Sequence, residues 1–404
     1  MDLRPVVVAF FLSLLLAAPL ARAGEVERWN RIATEAAAAE KVGPLVESRL
    51  LAIVHGAIHD ALNGIEPRYQ PYQARVTAAS GAWPEAAVAA AAQASLAELL
   101  PGRKAAFDAA LAETLARAEN RQAAASGAQA GRQAATVLLA ARRDDGATRA
   151  VARAGGRKPG EYRPTPPDFT PAVFAHWGEV RPFVLASSSQ FRPAAPLDPR
   201  SPRAIAETQD VRTLGGEVSS RRTAEQSEIA RFWYEDSTAG WNRIARELAL
   251  ARGLDEWESA RLLALVNLAM ADGFIGGFEA KYHFHYWRPA TAIRATTDAK
   301  WLPYLWTPPV PDYPSTHTVL GAAAAAVMAR YFGTDFVPFT MTSGAPYAGI
   351  TRRFWSLSEA AHENGASRIL AGIHFASAVR AGYEQGERIG AWTYEHALQP
   401  ARAD

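Results

Sequence analysis

Apolar residues recur at helical spacing along most of the chain. Glu47 to Asn63 carries Leu50, Leu51, Val54, Ile58 and Leu62 at the intervals of one helix face. Pro84 to Leu99 and Lys104 to Ala118 are Ala/Leu-rich stretches on either side of Pro101-Gly102, the pattern of a helical hairpin. Gln122 to Ala141 adds an Ala-rich helix. Helical periodicity returns over Thr223 to Tyr234, Gly240 to Ala251 and Asp255 to about His285. It resumes over Thr316 to Phe332, closed by Gly333, and over Ala378 to Leu398. Ser356-Leu357-Ser358-Glu359 reads as a capping box for one more helix. No run alternates cleanly with period two. Gly155 to Asp198, with Pro164, Pro166, Pro167 and Pro171, reads as a long irregular loop on the surface and a candidate lid. The expectation is an all-α protein of helical bundles sharing one core. Its parts are N-terminal helices 24–150, the Pro-rich loop 155–198 and a bundle 220–400, within a single domain 24–404.

Composition narrows the function classes. With 49% hydrophobic and 21% charged residues, the chain can bury a real core and is not intrinsically disordered. A net charge of +2 argues against a nucleic-acid binder. There is no cysteine, which excludes disulfides, thiolate nucleophiles, Cys-ligated zinc and iron–sulfur clusters. Arg4, the apolar Val6 to Ala18 and Ala21-Arg22-Ala23 before Gly24 have the form of a cleaved secretory leader over residues 1–23. A secreted or periplasmic protein is therefore expected. The leader's apolar run is too short to serve as a stable membrane anchor, and no later segment is expected to span.

Three clusters could carry chemistry. In Lys281-Tyr-His-Phe-His-Tyr-Trp-Arg288-Pro289, two helical turns would put Lys281 and Arg288 near one face. Paired cations usually mark a solvated surface. Here the charges are set among aromatics and follow a nearly apolar stretch, Leu262 to Phe278, so an anion between them is the alternative. In Asp312-Tyr-Pro-Ser315-Thr316-His317, Ser315 is a plausible N-cap, and a helix N-terminus with hydroxyls favours an oxyanion. The plainer reading is an ordinary cap beside a surface histidine. In Ser367-Arg368-Ile-Leu-Ala-Gly372-Ile-His374-Phe375, Arg368 and His374 would point apart on one straight helix. They can share a site only if the backbone turns, and Gly372 is the natural place for that. Otherwise they are a surface arginine and a core histidine that never meet.

Together the clusters supply three cations, a helix N-terminus and two histidines. That set suits a tetrahedral or trigonal-bipyramidal oxyanion, with one imidazole bonding its central atom and the other moving protons. His285, Trp287 and Phe284 are candidates to line the pocket. His55 and His59 have i,i+4 spacing, but no third metal ligand is evident, and buried hydrogen bonding explains them better. His176, His283, His362 and His396 carry no signal.

The order Lys-x6-Arg-Pro, Pro-Ser-x-His and Ser-Arg-x5-His resembles the vanadium-dependent haloperoxidases and the type 2 phosphatidic acid phosphatases, which share one fold and one anion pocket. Arg222-Thr-Ala-Glu-Gln-Ser, Leu265-Val-Asn-Leu-Ala-Met-Ala-Asp272, and Arg49-Leu-Leu-Ala-Ile-Val-His55 with Asp60 and Asn63 are similar to secreted bacterial members of the haloperoxidase group. The resemblance implies that Lys281, Arg288 and Arg368 neutralise the oxygens of vanadate or phosphate, with Ser315 and the Thr316 amide hydrogen-bonding them. It implies His317 as the acid–base residue. His374 would ligate vanadium in a peroxidase or attack phosphorus in a phosphatase. In a peroxidase the cofactor is vanadate, peroxide displaces one of its oxygens under polarisation by Lys281, and halide is oxidised to a hypohalous species. A phosphatase would need no cofactor. The partners implied are small molecules: hydrogen peroxide, halide, an organic acceptor or a phosphate ester. Assembly into a homo-oligomer is left open. Two residues depart from the pattern. Thr316 stands where glycine is usual. Ala378 stands where the phosphatases carry the aspartate that orients the last histidine, and this weighs toward vanadate. A non-catalytic oxyanion-binding relative is the third reading.

Overall fold

The computed structural model describes residues 24–401, so the expected leader over residues 1–23 lies outside the described residues. The helices of the first half are α1 (Glu25–Ala39), α2 (Pro44–Asn63), α3 (Pro84–Leu99), α4 (Lys104–Ala116) and α5 (Arg121–Arg142). After the irregular stretch come α6 (Pro202–Leu214), α7 (Ala224–Phe232), α8 (Ser237–Arg252), α9 (Glu256–Phe284) and α10 (Pro289–Thr296). The chain continues with α11 (Thr316–Phe332), the strands β1 (Phe339–Thr342) and β2 (Thr351–Phe354), α12 (Leu357–Leu370) and α13 (Ala376–His396). The fold is all-α, with one short antiparallel hairpin that pairs Phe339 with Phe354.

Helix periodicity placed the long elements well, because burial of one face decides them. It missed α1, whose charges interrupt the apolar pattern. Those charges are used internally: Glu25 accepts from the Trp29 indole, Thr114 and Arg117. It also missed α6, which a serine cap at Ser201 starts but whose face is mostly exposed. The hairpin escaped because four-residue strands leave too short an alternation to read. Ser356 does cap α12, but Glu359 reaches back to the amide of Trp355 rather than closing the expected box.

Helix α9 is the axis of the molecule. It packs against α2, α8, α11 and α13. Its length and apolar character would let it cross a membrane, contrary to the sequence expectation, yet 94% of its most apolar window is buried inside the bundle. It is a core helix enclosed on all sides.

Beside it, α11 and α13 approach unusually closely. A Cβ on Gly382, Gly386 or Gly390 would lie 2.5, 2.2 or 2.4 Å from the carbonyl oxygens of Ser315, Val319 and Ala323. Glycine every fourth residue on α13 therefore forms a groove for the α11 backbone. This seam fixes the first turn of α11, because Gly382 abuts Ser315 and the Ser315 amide donates to Ala378 O at 2.9 Å.

Buried carboxylates hold the irregular segments. Asp60 accepts from the amides of Tyr72, Gln73 and Ala74 at 2.6–2.8 Å. Asp272 accepts from those of Phe183, Val184 and Leu185 at 2.6–2.9 Å. Charge-assisted bonds of this kind are strong in a dry interior. The stretch from Gly155 to Asp198 is irregular and largely at the surface, as expected, but it also sends side chains into the core. Tyr162, Trp177 and Val180 are buried in the core, and Asp272 pins the segment in place. It is a wall rather than a lid.

Gly386→Ala should lower the denaturation midpoint by an amount corresponding to about 1–3 kcal/mol, since the neighbouring carbonyl cannot move aside without parting two helices. An unchanged midpoint in urea titration would show that α11 and α13 are not this close.

Candidate functional site

The three sequence clusters converge on one cavity of about 410 Å³. Each reaches it by a break in helical structure. Helix α9 stops at Phe284, where His285 adopts the left-handed conformation at φ 51°. Arg288 then caps the start of α10. Lys281 and Arg288 thus meet across a turn between helices, and not on one helix face. Helix α12 stops at Leu370, and Gly372, at φ +79°, reverses the chain and brings His374 back toward Arg368. The third cluster sits at the N-terminus of α11, where Ser315 occupies the N-cap position.

Arg288 is completely buried and anchored by backbone carbonyls. Its Nε donates to Val310 O at 2.8 Å and its Nη1 to Ile373 O at 2.8 Å. Nη1 also donates to Nε2 of His374 at 2.9 Å. The other ring nitrogen of His374, Nδ1, lies 2.9 Å from Oδ1 of Asp312. With Nε2 accepting from arginine, the ring proton falls to Nδ1, beside a carboxylate whose own oxygens make no hydrogen bond. The lone pair of Nε2 is therefore directed at the cationic end of the cavity.

Asp312 belongs to a motif quoted from the sequence, but no role was assigned to it. It is fully buried, 3.8 Å from Nη1 of Arg288, and burial pushes its carboxyl up to about 7 against the pull of Arg288 and Lys281. Asp312 stands against His374 where the phosphatase pattern would use position 378, which here is a buried alanine. Ala378 therefore does not tell vanadate from phosphate chemistry, because a carboxylate beside the ring comes from another stretch of chain.

Lys281 and Ser315 do not line the cavity; they are buried behind the lining. The Lys281 ammonium donates to the carbonyls of Pro311 and Asp312 at 2.7 and 2.9 Å. Burial, with Arg288 second, holds it well below the usual lysine range. The Ser315 hydroxyl does not cap α11. It accepts from the Thr318 hydroxyl at 2.8 Å, which leaves its own proton free to donate. Thr316, His317, Arg368 and His374 do line the cavity.

The methyl of Thr316 is accommodated by a glycine on the neighbouring helix. A Cβ on Gly277 would come within 2.5 Å of Thr316 Cγ2. Threonine is tolerated at 316 because α9 provides the room.

His317 is fixed by a residue that the sequence did not flag. The Ser237 hydroxyl, in the first turn of α8, hydrogen-bonds Nδ1 of His317, while Nε2 has no partner. Burial, and next Arg368, hold His317 well below the ordinary histidine range. The same causes in a different mix, burial and then Arg288, Lys281 and Arg368, depress His374. Burial lowers Arg368 to about 10, and its Nη2 has no hydrogen-bond partner. No local signal in the sequence marks Ser237, which lies far from all three clusters.

Three expected lining residues are elsewhere. The left-handed turn carries His285 off the Lys281 face, and its ring packs edge-on against Tyr162 at 5.7 Å. Phe284 packs against Tyr313 at 5.5 Å, and Trp287 is buried in a separate apolar cluster with Tyr286 and Phe375. His55 accepts from Asn30 at 2.8 Å within a buried amide network, as expected of a packing histidine.

Three desolvated cations with one buried carboxylate leave this end of the cavity short of negative charge. The unpartnered Arg368 Nη2 and the uncapped first amides of α11 add donors with nothing to donate to. These residues fit a tetrahedral oxyanion such as vanadate or phosphate. An anion bound here raises the depressed pKa values of His317 and His374, so those rings take up protons on binding. Calorimetry with sulfate, which does not titrate near neutrality, should show net proton uptake at pH 7 and affinity rising as the pH falls. Proton release would contradict this electrostatic account.

Residues 261–403 match the family profile of the VCPO second helical-bundle domain. The chain is 25% identical over 225 residues to the vanadium chloroperoxidase of Curvularia inaequalis, a stretch covering 39% of this chain and 37% of that protein. It superposes with a TM-score of 0.83 on the crystal structure of a bacterial vanadium-dependent iodoperoxidase, at 25% identity over 94% of this chain and 98% of that one. It also superposes on a holo-type bacterial vanadium-dependent chloroperoxidase with a TM-score of 0.74, at 18% identity over 94% of this chain and 98% of that one, a likeness of fold.

Proposed function

From a chain that has the vanadium haloperoxidase fold, and whose residues 261–403 belong to that family's second helical bundle, we propose a vanadate-dependent peroxidase that uses hydrogen peroxide to oxidise halide. The observation that carries this reading is the single buried cluster of Lys281, Arg288 and Arg368 beside His374, whose Nε2 faces Arg288.

Arg288 and Arg368 hold the anion's oxygens from the cavity wall, and Lys281 adds positive charge from behind. The Thr316 amide donates at the helix N-terminus, where the dipole adds to it, and Ser315 fixes that turn from behind the lining. Asp312 beside Nδ1 would keep the His374 proton there, and Nε2, which accepts from Arg288, would become the vanadium ligand once Arg288 turns to the anion's oxygens. Ser237 holds Nδ1 of His317, and the free Nε2 of that ring accepts or delivers the proton that peroxide must lose or the product must gain. The apolar walls exclude water, which strengthens each of these charge interactions. When bound, vanadate supplies Lewis-acid activation of peroxide toward two-electron oxidation of halide.

Purified protein given vanadate should oxidise iodide, bromide or chloride with peroxide, and His374→Ala should remove the activity. Turnover that persists without vanadate, or in the variant, would refute the reading.

A second reading is a phosphate-ester hydrolase with His374 as nucleophile. The contact between Asp312 and His374 favours it, since such a nucleophile needs an orienting carboxylate. In that case a phosphohistidine would be trapped at His374, and vanadate would inhibit.

A further inference from the structure

The cavity is far larger than its polar end requires. Its volume of about 410 Å³ falls within the range of sites for small organic ligands, whereas a vanadate, a peroxide and a halide are small inorganic species. Beyond Arg288, Arg368, the two histidines, Ser237 and Thr316, the lining is apolar. Phe274 and Phe278 come from α9, Val173 and Phe174 from the pinned loop, and Trp306 and Ile373 from the turns before α11 and α13. Apolar walls keep water from the charges, but a volume this large exceeds what the inorganic species fill and leaves apolar room beside them.

Two details give the walls a form. Phe274 and Phe278 stand edge-to-face with centroids 6.2 Å apart, so they offer a ring both a face and an edge. Trp306 is 46% exposed, yet it is held: its Nε1 donates to Asp168 at 3.2 Å, and its carbonyl accepts from the Tyr234 hydroxyl at 2.7 Å. An exposed indole tethered at both ends suits a lip over which an apolar ligand enters.

We propose that the cavity binds an apolar aromatic acceptor of one or two rings, seated against Phe278 and Trp306 with its reactive edge toward the cationic end. The proposal rests on the peroxidase reading and assigns its organic substrate class. Peroxide oxidises halide by two electrons to hypohalous acid. A ring carbon then attacks the halogen, the carbon–halogen bond forms and the oxygen–halogen bond breaks. The hydroxide released combines with the ring proton to give water. Halogen is thus transferred inside the cavity and not by an oxidant diffusing into bulk solution.

The test uses 2-naphthol and the vanadate-loaded protein. Without peroxide or halide, 2-naphthol should bind saturably. Trp306→Ala, at an exposed position, and Val173→Phe, which fills the cavity, should each weaken binding by about tenfold, the size expected for losing one good aromatic contact or the space for it. With peroxide and bromide, 2-naphthol competing against taurine should be brominated in a higher proportion than by reagent hypobromous acid. Absence of saturable binding, binding indifferent to both substitutions, or a product ratio equal to that of the free reagent would overturn the proposal. Saturable, substitution-sensitive binding in a protein that oxidises no halide would overturn the peroxidase reading and leave the acceptor site standing.

Discussion

The architecture depends on keeping Lys281, Arg288 and Arg368 out of water together. Desolvating a single ion costs several kcal/mol even after relaxation, and three like charges add repulsion. The protein meets this with backbone carbonyls. Pro311 and Asp312 take the Lys281 protons, while Val310 and Ile373 take those of Arg288. Carbonyl dipoles can satisfy these donors without cancelling their charge. A full set of carboxylate partners would have neutralised the site, and an oxyanion would then gain little by entering.

That arrangement demands an unyielding scaffold, because the carbonyls belong to irregular chain. The segment 297–315 and the turn at Gly372 have no ladder to hold them. They are fixed by what surrounds them: the glycine seam between α11 and α13, the Asp272 clip on the loop opposite, and Arg222, which donates to the carbonyls of Leu214 and Gly216 while its guanidinium lies 3.8 Å from the Tyr304 ring. Motifs outside the cavity are explained in the same way. Arg49 ties α2 to Asp145, and His55, Asn242 and Asn267 join α1, α2, α8 and α9 through buried amides. They maintain relative helix placement rather than touch the cavity.

Much of this was legible in the sequence because helix burial writes itself as periodicity. Pro84–Leu99 and Thr316–Phe332 appear in the structure with the boundaries read from the chain. The convergence of Lys281, Arg288, Arg368 and His374 was legible from motif order, and the turn at Gly372 followed from the geometry of a straight helix. What could not be read were relations between distant segments. Ser237 and Asp312 act through neighbours remote in sequence, and no local pattern records such a contact. His285 was misplaced because helical spacing was extended one residue past the point where α9 ends. That the surface loop is pinned by Asp272 is also illegible, because proline-rich chain reads alike whether it is held or free.

Thr316 and Gly277 make one compound character of two distant positions. A side chain at 277 is excluded while threonine stands at 316, and glycine at 316 would leave a hole where the methyl now sits. Neither can drift alone. In this chain the two positions therefore answer to one steric constraint, and a change at either is felt at the other.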